Sequence, residues 1–218
     1  MGLLSGRRVM VLDTETTGFD PADGHELVEV ASVMVENQAI AEEWSSLIRP
    51  ARPIPPGATA VHGITDAMTA SAPEAASVAA QLRARCADLA LAFHNAEFDL
   101  PFLRALLRGA GQPPLVAPVV DTLGLARGLF GSGGNSLAPL ARRLGLAPES
   151  AHRALADART SARVLIELAK RWETERGVKS FDELAAISQD QVRLTRRSRP
   201  GGAPLRSTAD AATAPGSV

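Results

Sequence analysis

Four carboxylates and one histidine stand in three short islands of this chain. They are Asp13-Thr14-Glu15-Thr16-Thr17-Gly18, His94-Asn95-Ala96-Glu97-Phe98-Asp99 and His152-Arg153-Ala154-Leu155-Ala156-Asp157. Each island lies at the edge of an apolar run, where a strand or helix begins or ends. Four acids gathered in one place repel one another, and a divalent cation is the usual reason a protein gathers them. Asp13 and Glu15 are two residues apart at the end of a strand-like run, so the strand period turns both side chains to one face. Asp99 falls in the first turn of a helix, where Pro101 also fits. His152 and Asp157 are five apart, poorly placed to meet on one continuous helix. They converge if His152 lies on a loop ahead of the helix and Asp157 on its early turns, and Pro148 supports a late start. Singly, each group has an ordinary role: a capping acid, a helix-start acid favoured by the dipole, a loop histidine. Jointly they point to a metal site.

The elements that must carry these islands can be read from the apolar pattern. Val9 to Leu12 is a short continuous apolar run, as in a buried strand. Leu27 to Val35 alternates, and a polar Glu36-Asn37-Gln38 separates it from Ala41 to Ile48, so the first three strands form a meander. Arg49 to Gly57 is a proline-rich loop. Ala72 to Asp88 is alanine-rich and helical, and Leu89 to Phe93 reads as a fourth strand. Phe98, Phe102, Leu103, Leu106 and Leu107 have helical spacing, with Gly109 to Pro114 as the stop. Val116 to Val120 reads as a fifth strand. Ser136 suits the N-cap of a helix over Leu137 to Leu144, and Leu155, Ala158, Ala162, Leu165, Ala169 and Trp172 form the stripe of a long helix. The expected architecture is α/β: a mixed five-stranded sheet, a three-strand meander and then two parallel strands, flanked by helices. The expected divisions are one domain over 1–177, a further helix over 178–195, and a disordered basic tail rich in Pro, Gly and Ala over 196–218.

Bulk composition narrows the rest. The 218 residues are 45% hydrophobic but only 4% aromatic, and tyrosine is absent, so the core is built from Leu, Val and Ala. A net charge of −1 neither requires nor excludes a nucleic-acid partner. The single cysteine, Cys86, suits a buried helix position and a reducing compartment. No signal peptide or membrane span fits, so the expected location is cytoplasmic and no membrane partner is expected. Gly131-Ser132-Gly133-Gly134 lacks the lysine and the spacing of a phosphate loop.

The three islands resemble the three motifs of the DEDDh family of 3′→5′ exonucleases, of ribonuclease H-like fold. Asp-Thr-Glu-Thr-Thr-Gly, His-Asn-x-x-Phe-Asp and His-x-Ala-x-x-Asp-Ala stand intact and in order over about Arg7 to Trp172. His62-Gly63-Ile64-Thr65 and Asn135-Ser136-Leu137 are lesser matches. A related branch uses tyrosine where this chain has His152, and the absence of tyrosine excludes it. Thr14 and Thr16, where oligoribonucleases usually carry Ile and Met, favour the branch of the proofreading epsilon subunit of bacterial replicative DNA polymerase.

The resemblance implies metal-dependent hydrolysis of phosphodiester bonds at the 3′ end of DNA, single-stranded, frayed or mispaired, in proofreading or repair. It implies two Mg²⁺ ions, with Mn²⁺ as a substitute, held by Asp13, Glu15, Asp99 and Asp157. His152 would take the proton of the attacking water, since histidine is the side chain suited to that near neutral pH. Substrate contacts are expected from Thr14, Glu15, Thr16, His62, Gly63, Ile64, Asn95 and Phe98, the last by stacking, although Phe98 also fits plain core packing on Phe102 and Leu106. The C-terminal tail could tether a polymerase catalytic subunit. RNA 3′-end processing, and a polymerase-associated binding module without catalysis, are the alternatives; the intact acids and His152 weigh against the second.

Overall fold

The apolar run at Val9 grows into β1 (Arg8–Thr16), whose interior is buried on both faces. The computed structural model describes residues 2–147, 149 and 152–197; Pro148 and the expected tail beyond 197 lie outside them. β1 pairs antiparallel with β2 (Leu27–Glu36), and β2 pairs antiparallel with β3 (Ala39–Leu47), which gives the expected meander. The chain then forms short helices α1 (Pro56–His62) and α2 (Asp66–Thr69), and α3 (Ala75–Cys86). β4 (Ala90–Phe93) runs parallel to β1 and leads into α4 (Ala96–Gly109). β5 (Val119–Asp121) runs parallel to β4 and leads into α5 (Thr122–Phe130), then α6 (Leu137–Arg143), α7 (Ala154–Arg176) and α8 (Phe181–Arg197). The sheet order is β3-β2-β1-β4-β5, the mixed α/β sheet expected from the sequence.

Two cores hold the sheet between helices. Val9, Val11, Ala31, Val33 and Val35 meet Ala158, Ala162, Leu165 and Ala169 of α7, together with α5 and α8. Met10, Leu12, Val30 and Met34 meet Val78 and Leu82 of α3 and Phe102 and Leu103 of α4. Odd-numbered residues of β1 thus face α7 and even-numbered residues face α3 and α4, the two-residue period of a strand buried on both faces. Gly128 of α5 lets α5 close on α7, since a Cβ there would stand 2.6 Å from the Trp172 ring. Cys86 is buried in α3, as expected, and burial pushes its thiol up to about 12.

Several elements differ from the sequence expectation. The fifth strand is only three residues long and starts after Pro118, while Val116 is 88% exposed. Proline cannot donate to the ladder, so pairing begins beyond it. Pro56, expected in a loop, instead occupies the first position of α1, where its missing N–H is not needed. Ser136 holds the N-cap position of α6, but its hydroxyl makes no capping bond. The helix expected over 178–195 extends to Arg197 and lies along β5: the Ser188 hydroxyl accepts the Asp121 N–H at 3.1 Å, and Gln189 Nε2 donates to the Val119 carbonyl at 3.2 Å. Phe181, Leu184 and Ala185 of this helix are buried in the same core as α7.

Candidate active site

β1 and β4 are parallel neighbours, so their carboxyl ends open on the same side of the sheet, the side on which such folds place ligands. The first island ends β1 and the second follows β4. The third arrives at the start of α7, which crosses the sheet over β1 and β2. Asp13, Thr14, Glu15, His94, Asn95, Phe98, Asp99, His152 and Asp157 line one cleft of about 50 Å³, together with Val61. All five residues expected to carry chemistry therefore meet in one place.

Carboxylate oxygens of Asp13, Glu15 and Asp157 lie within 4.8 Å of one another. Burial, then the neighbouring charges of Asp99, Asp157, Glu15 and Glu29, pushes Asp13 well above the usual carboxylate range. Burial likewise raises Glu15 to about 8, with Asp157, Glu29 and Asp99 pushing the same way. Asp157 is raised, again chiefly by burial. Such a cluster is costly without a counter-charge. Three hard oxygen donors from two elements suit a divalent cation, so the residues fit the metal that the sequence implies. Asp99 approaches from the opposite face of β1. The Thr14 hydroxyl donates to its Oδ1 at 2.6 Å, and burial raises it to about 7 against the lowering effect of that bond.

His152 precedes α7, as its spacing from Asp157 required, and its N–H donates to Asp157 Oδ2 at 2.9 Å. Its φ of +66° is a left-handed conformation uncommon for any residue but glycine. Asn95 has φ +82°, and its amide Oδ1 is buried without a partner in the cleft wall. Phe98 faces two ways. Its ring packs 5.6 Å from that of Phe102, and it also lines the cleft.

Other expected contacts are placed differently. Thr14 lines the cleft and turns its hydroxyl to Asp99, and Thr16 Oγ1 donates to the Gly18 carbonyl at 2.6 Å, so both hydroxyl protons are committed within the protein. Ile64 is wholly buried against Val28 and Ile54 and does not face the cleft. Its N–H donates to Nδ1 of the buried His62 at 3.0 Å, and burial lowers the pKa of that imidazole. Gly63, with φ +71°, closes α1. The residue of this segment that lines the cleft is Val61, 38% exposed. Gly18 has no unusual φ; its reason is His25, whose ring would stand 2.4 Å from a Cβ there.

Two buried acids were not singled out by their spacing. Asp121, 1% exposed, accepts the N–H groups of Asn95 at 3.1 Å and Ala96 at 3.0 Å, and also those of Leu123 and Gly124, so one carboxylate caps α5 and holds the start of α4. It fixes the turn from which Asp99 projects. Glu29 stands opposite Glu15 in the β1–β2 register and pairs with Arg153. His94 is buried and held neutral, with burial pushing it down to about 4, and its Nδ1 lies 2.9 Å from the Thr122 hydroxyl.

Residues 10–165 match the family model described as exonuclease, of the RNase T type. The chain belongs to this exonuclease family. It is 40% identical over 194 residues, 86% of the chain, to a DNA polymerase III subunit epsilon-like protein of Rhodobacter capsulatus. It is 35% identical over 157 residues to a PolC-type DNA polymerase III of Thermotoga maritima, covering 72% of the chain. The exonuclease chain spans 27% of the first relative and 11% of the second. Among solved structures it resembles exonuclease X in complex with 5′ overhanging duplex DNA, at 30% identity and a TM-score of 0.65, covering 83% of this chain and 99% of that one. The fold also matches E. coli exonuclease I in complex with a dA16 oligonucleotide, at 18% identity and a TM-score of 0.68, over 88% of this chain and 44% of that one. Among the described residues, no helix is long and apolar enough to cross a membrane.

Proposed function

We propose that the protein is a 3′→5′ exonuclease that removes nucleotides from single-stranded, frayed or mispaired DNA ends. The observation that carries this reading is the convergence of Asp13, Glu15 and Asp157 within 4.8 Å, in a cleft shared with Asp99 and His152. Asp13, Glu15 and Asp157, with Asp99 beside them in the same cleft, would hold two Mg²⁺ ions, with Mn²⁺ as a substitute. Bound there, the ions supply Lewis acidity and neutralise charge on the attacking and leaving oxygens. His152 takes the proton of the attacking water. Asn95 and Val61 form the wall against which the terminal nucleotide rests, and Phe98 offers an aromatic face to its base. DNA as the substrate is supported by the DNA in the exonuclease X structure at 30% identity. The polymerase names of the relatives support a role in proofreading or repair. In this reading the protein works in the cytoplasm and its C-terminal tail engages a polymerase subunit.

The test is digestion of 5′-labelled single-stranded DNA, duplex, mispaired duplex and RNA with Mg²⁺, Mn²⁺ or EDTA. A ladder shortening from the 3′ end, strongest on single-stranded or mispaired DNA and absent with EDTA or in Asp13→Ala, is expected. Cleavage that survives Asp13→Ala would overturn the metal assignment, and preference for RNA would overturn the DNA assignment.

A further inference from the structure

We propose that Glu29 and Arg153 form a positioning pair that sets His152 for its role as base, an inference that rests on the nuclease reading above. Glu29 is 3% exposed, and a buried carboxylate needs partners. All three of its hydrogen bonds go to the two residues that follow His152. Arg153 donates from Nε at 3.1 Å and from Nη2 at 2.7 Å, and the Ala154 N–H donates at 2.9 Å. The first two make a two-pronged guanidinium–carboxylate contact, which fixes direction as well as distance.

The other side of His152 is held as well, since its N–H donates to Asp157 Oδ2 at 2.9 Å. Between these two anchors the backbone takes φ +66°. A non-glycine residue persists in that conformation only where its surroundings over-determine it. The strand β2 is the rigid member of the arrangement. Through Glu29 it transmits the position of the sheet, and hence of Asp13 and Glu15, to the loop that carries the base. Arg153 is half-exposed and could be taken for a phosphate contact, yet its Nε and one terminal nitrogen are committed to Glu29.

The experiment compares the full chain, Arg153→Ala, Arg153→Lys and Glu29→Gln, each also in a His152→Ala background. The readouts are kcat, KM and half-saturating Mg²⁺ on 5′-labelled single-stranded DNA, and amide hydrogen exchange over 152–157 in EDTA. Misplacing the base should cost Arg153→Ala roughly 10- to 100-fold in kcat, with KM and half-saturating Mg²⁺ little changed. Arg153→Lys should recover part of that loss. In the His152→Ala background the further loss should shrink to less than about twofold, because the pair acts through the imidazole. Exchange over 152–157 should quicken by about tenfold or more as the anchor is lost. Equal losses in both backgrounds, a change confined to KM, or a change confined to half-saturating Mg²⁺ would each overturn the proposal. If Glu29→Gln or Arg153→Ala fails to fold, Arg153→Lys, which keeps a positive charge opposite Glu29 but not the two-pronged contact, decides the matter by the same readouts. A wild-type protein that cuts nothing overturns the nuclease reading instead, while hydrogen exchange still judges the anchor.

Discussion

Replacing Glu15 with glutamine should abolish cleavage and yet stabilise the metal-free protein. Burial and three neighbouring acids raise Glu15 from an ordinary value near 4.5 to about 8. Between those values the folded protein keeps a proton that the unfolded chain has released. Folding therefore binds protons, and stability falls as pH rises through that window, by ~1.4 kcal/mol per pH unit from this one group. From pH 5 to pH 8 the loss comes to ~4 kcal/mol, or roughly 8–16 °C in melting temperature for a domain of this size. Asp99, raised to about 7, adds a loss of the same sign. Glutamine keeps the shape and carries no charge, so the Glu15 share disappears. The assay is thermal melting of wild type and Glu15→Gln in EDTA at pH 5, 6.5 and 8, repeated with saturating Mg²⁺. The two metal-free proteins should melt alike at pH 5 and diverge toward pH 8, with the variant higher. Mg²⁺ should raise the wild type at pH 8 far more than the variant. Metal-free curves that shift in parallel with pH, or a wild type more stable at pH 8 than at pH 5, would refute the reasoning.

Three further outcomes follow from particular contacts. His152→Ala should lower kcat by about 10²–10⁴ while DNA binding, measured with Ca²⁺ by fluorescence anisotropy, is retained. Asp121→Ala strands four buried N–H groups at the starts of α4 and α5, and chemical denaturation should show a loss of about 3–5 kcal/mol. Gly128→Ala places a methyl group 2.6 Å from the Trp172 ring, so denaturation should show a loss of about 1–3 kcal/mol, and Trp172→Leu in the same protein should relieve part of it.

What could be read from the sequence was whatever repeats with the period of an element. The two-residue step from Asp13 to Glu15 aligned them because β1 is a regular strand. The meander followed from alternation in Leu27 to Val35, and the start of α7 from the fact that His152 and Asp157 cannot meet on a continuous helix. What could not be read depends on partners far along the chain. Glu29 looks like one polar residue in an apolar strand until Arg153, 124 positions later, folds onto it. Asp121 looks like a strand end until the start of α4 turns its amides inward. α5 is hard to read from the sequence because Gly124 and Gly128 weaken its helical signal, and because the need for Gly128 lies on another helix. The segment Val61 to Ile64 shows the limit of a short motif: its cleft-lining member is Val61, while Ile64 serves the core.

The placement of α8 bears on how this protein can be divided. β5 closes the sheet on one side and, among the described residues, has no sixth strand beside it, so a bare β5 would present the unpaired main-chain groups through which sheets adhere to other chains. Ser188 and Gln189 occupy two of those groups from a helix, at a ladder position where a neighbouring strand would otherwise stand. The match to the exonuclease family ends at residue 165, well before this helix begins. A fragment cut to the family's span would keep every proposed metal ligand and the proposed base. It would lose the rest of α7, strip the guard from an adhesive edge, and loosen Asp121, on which the second island hangs. The smallest piece that can behave as the enzyme is therefore larger than the piece that carries its signature.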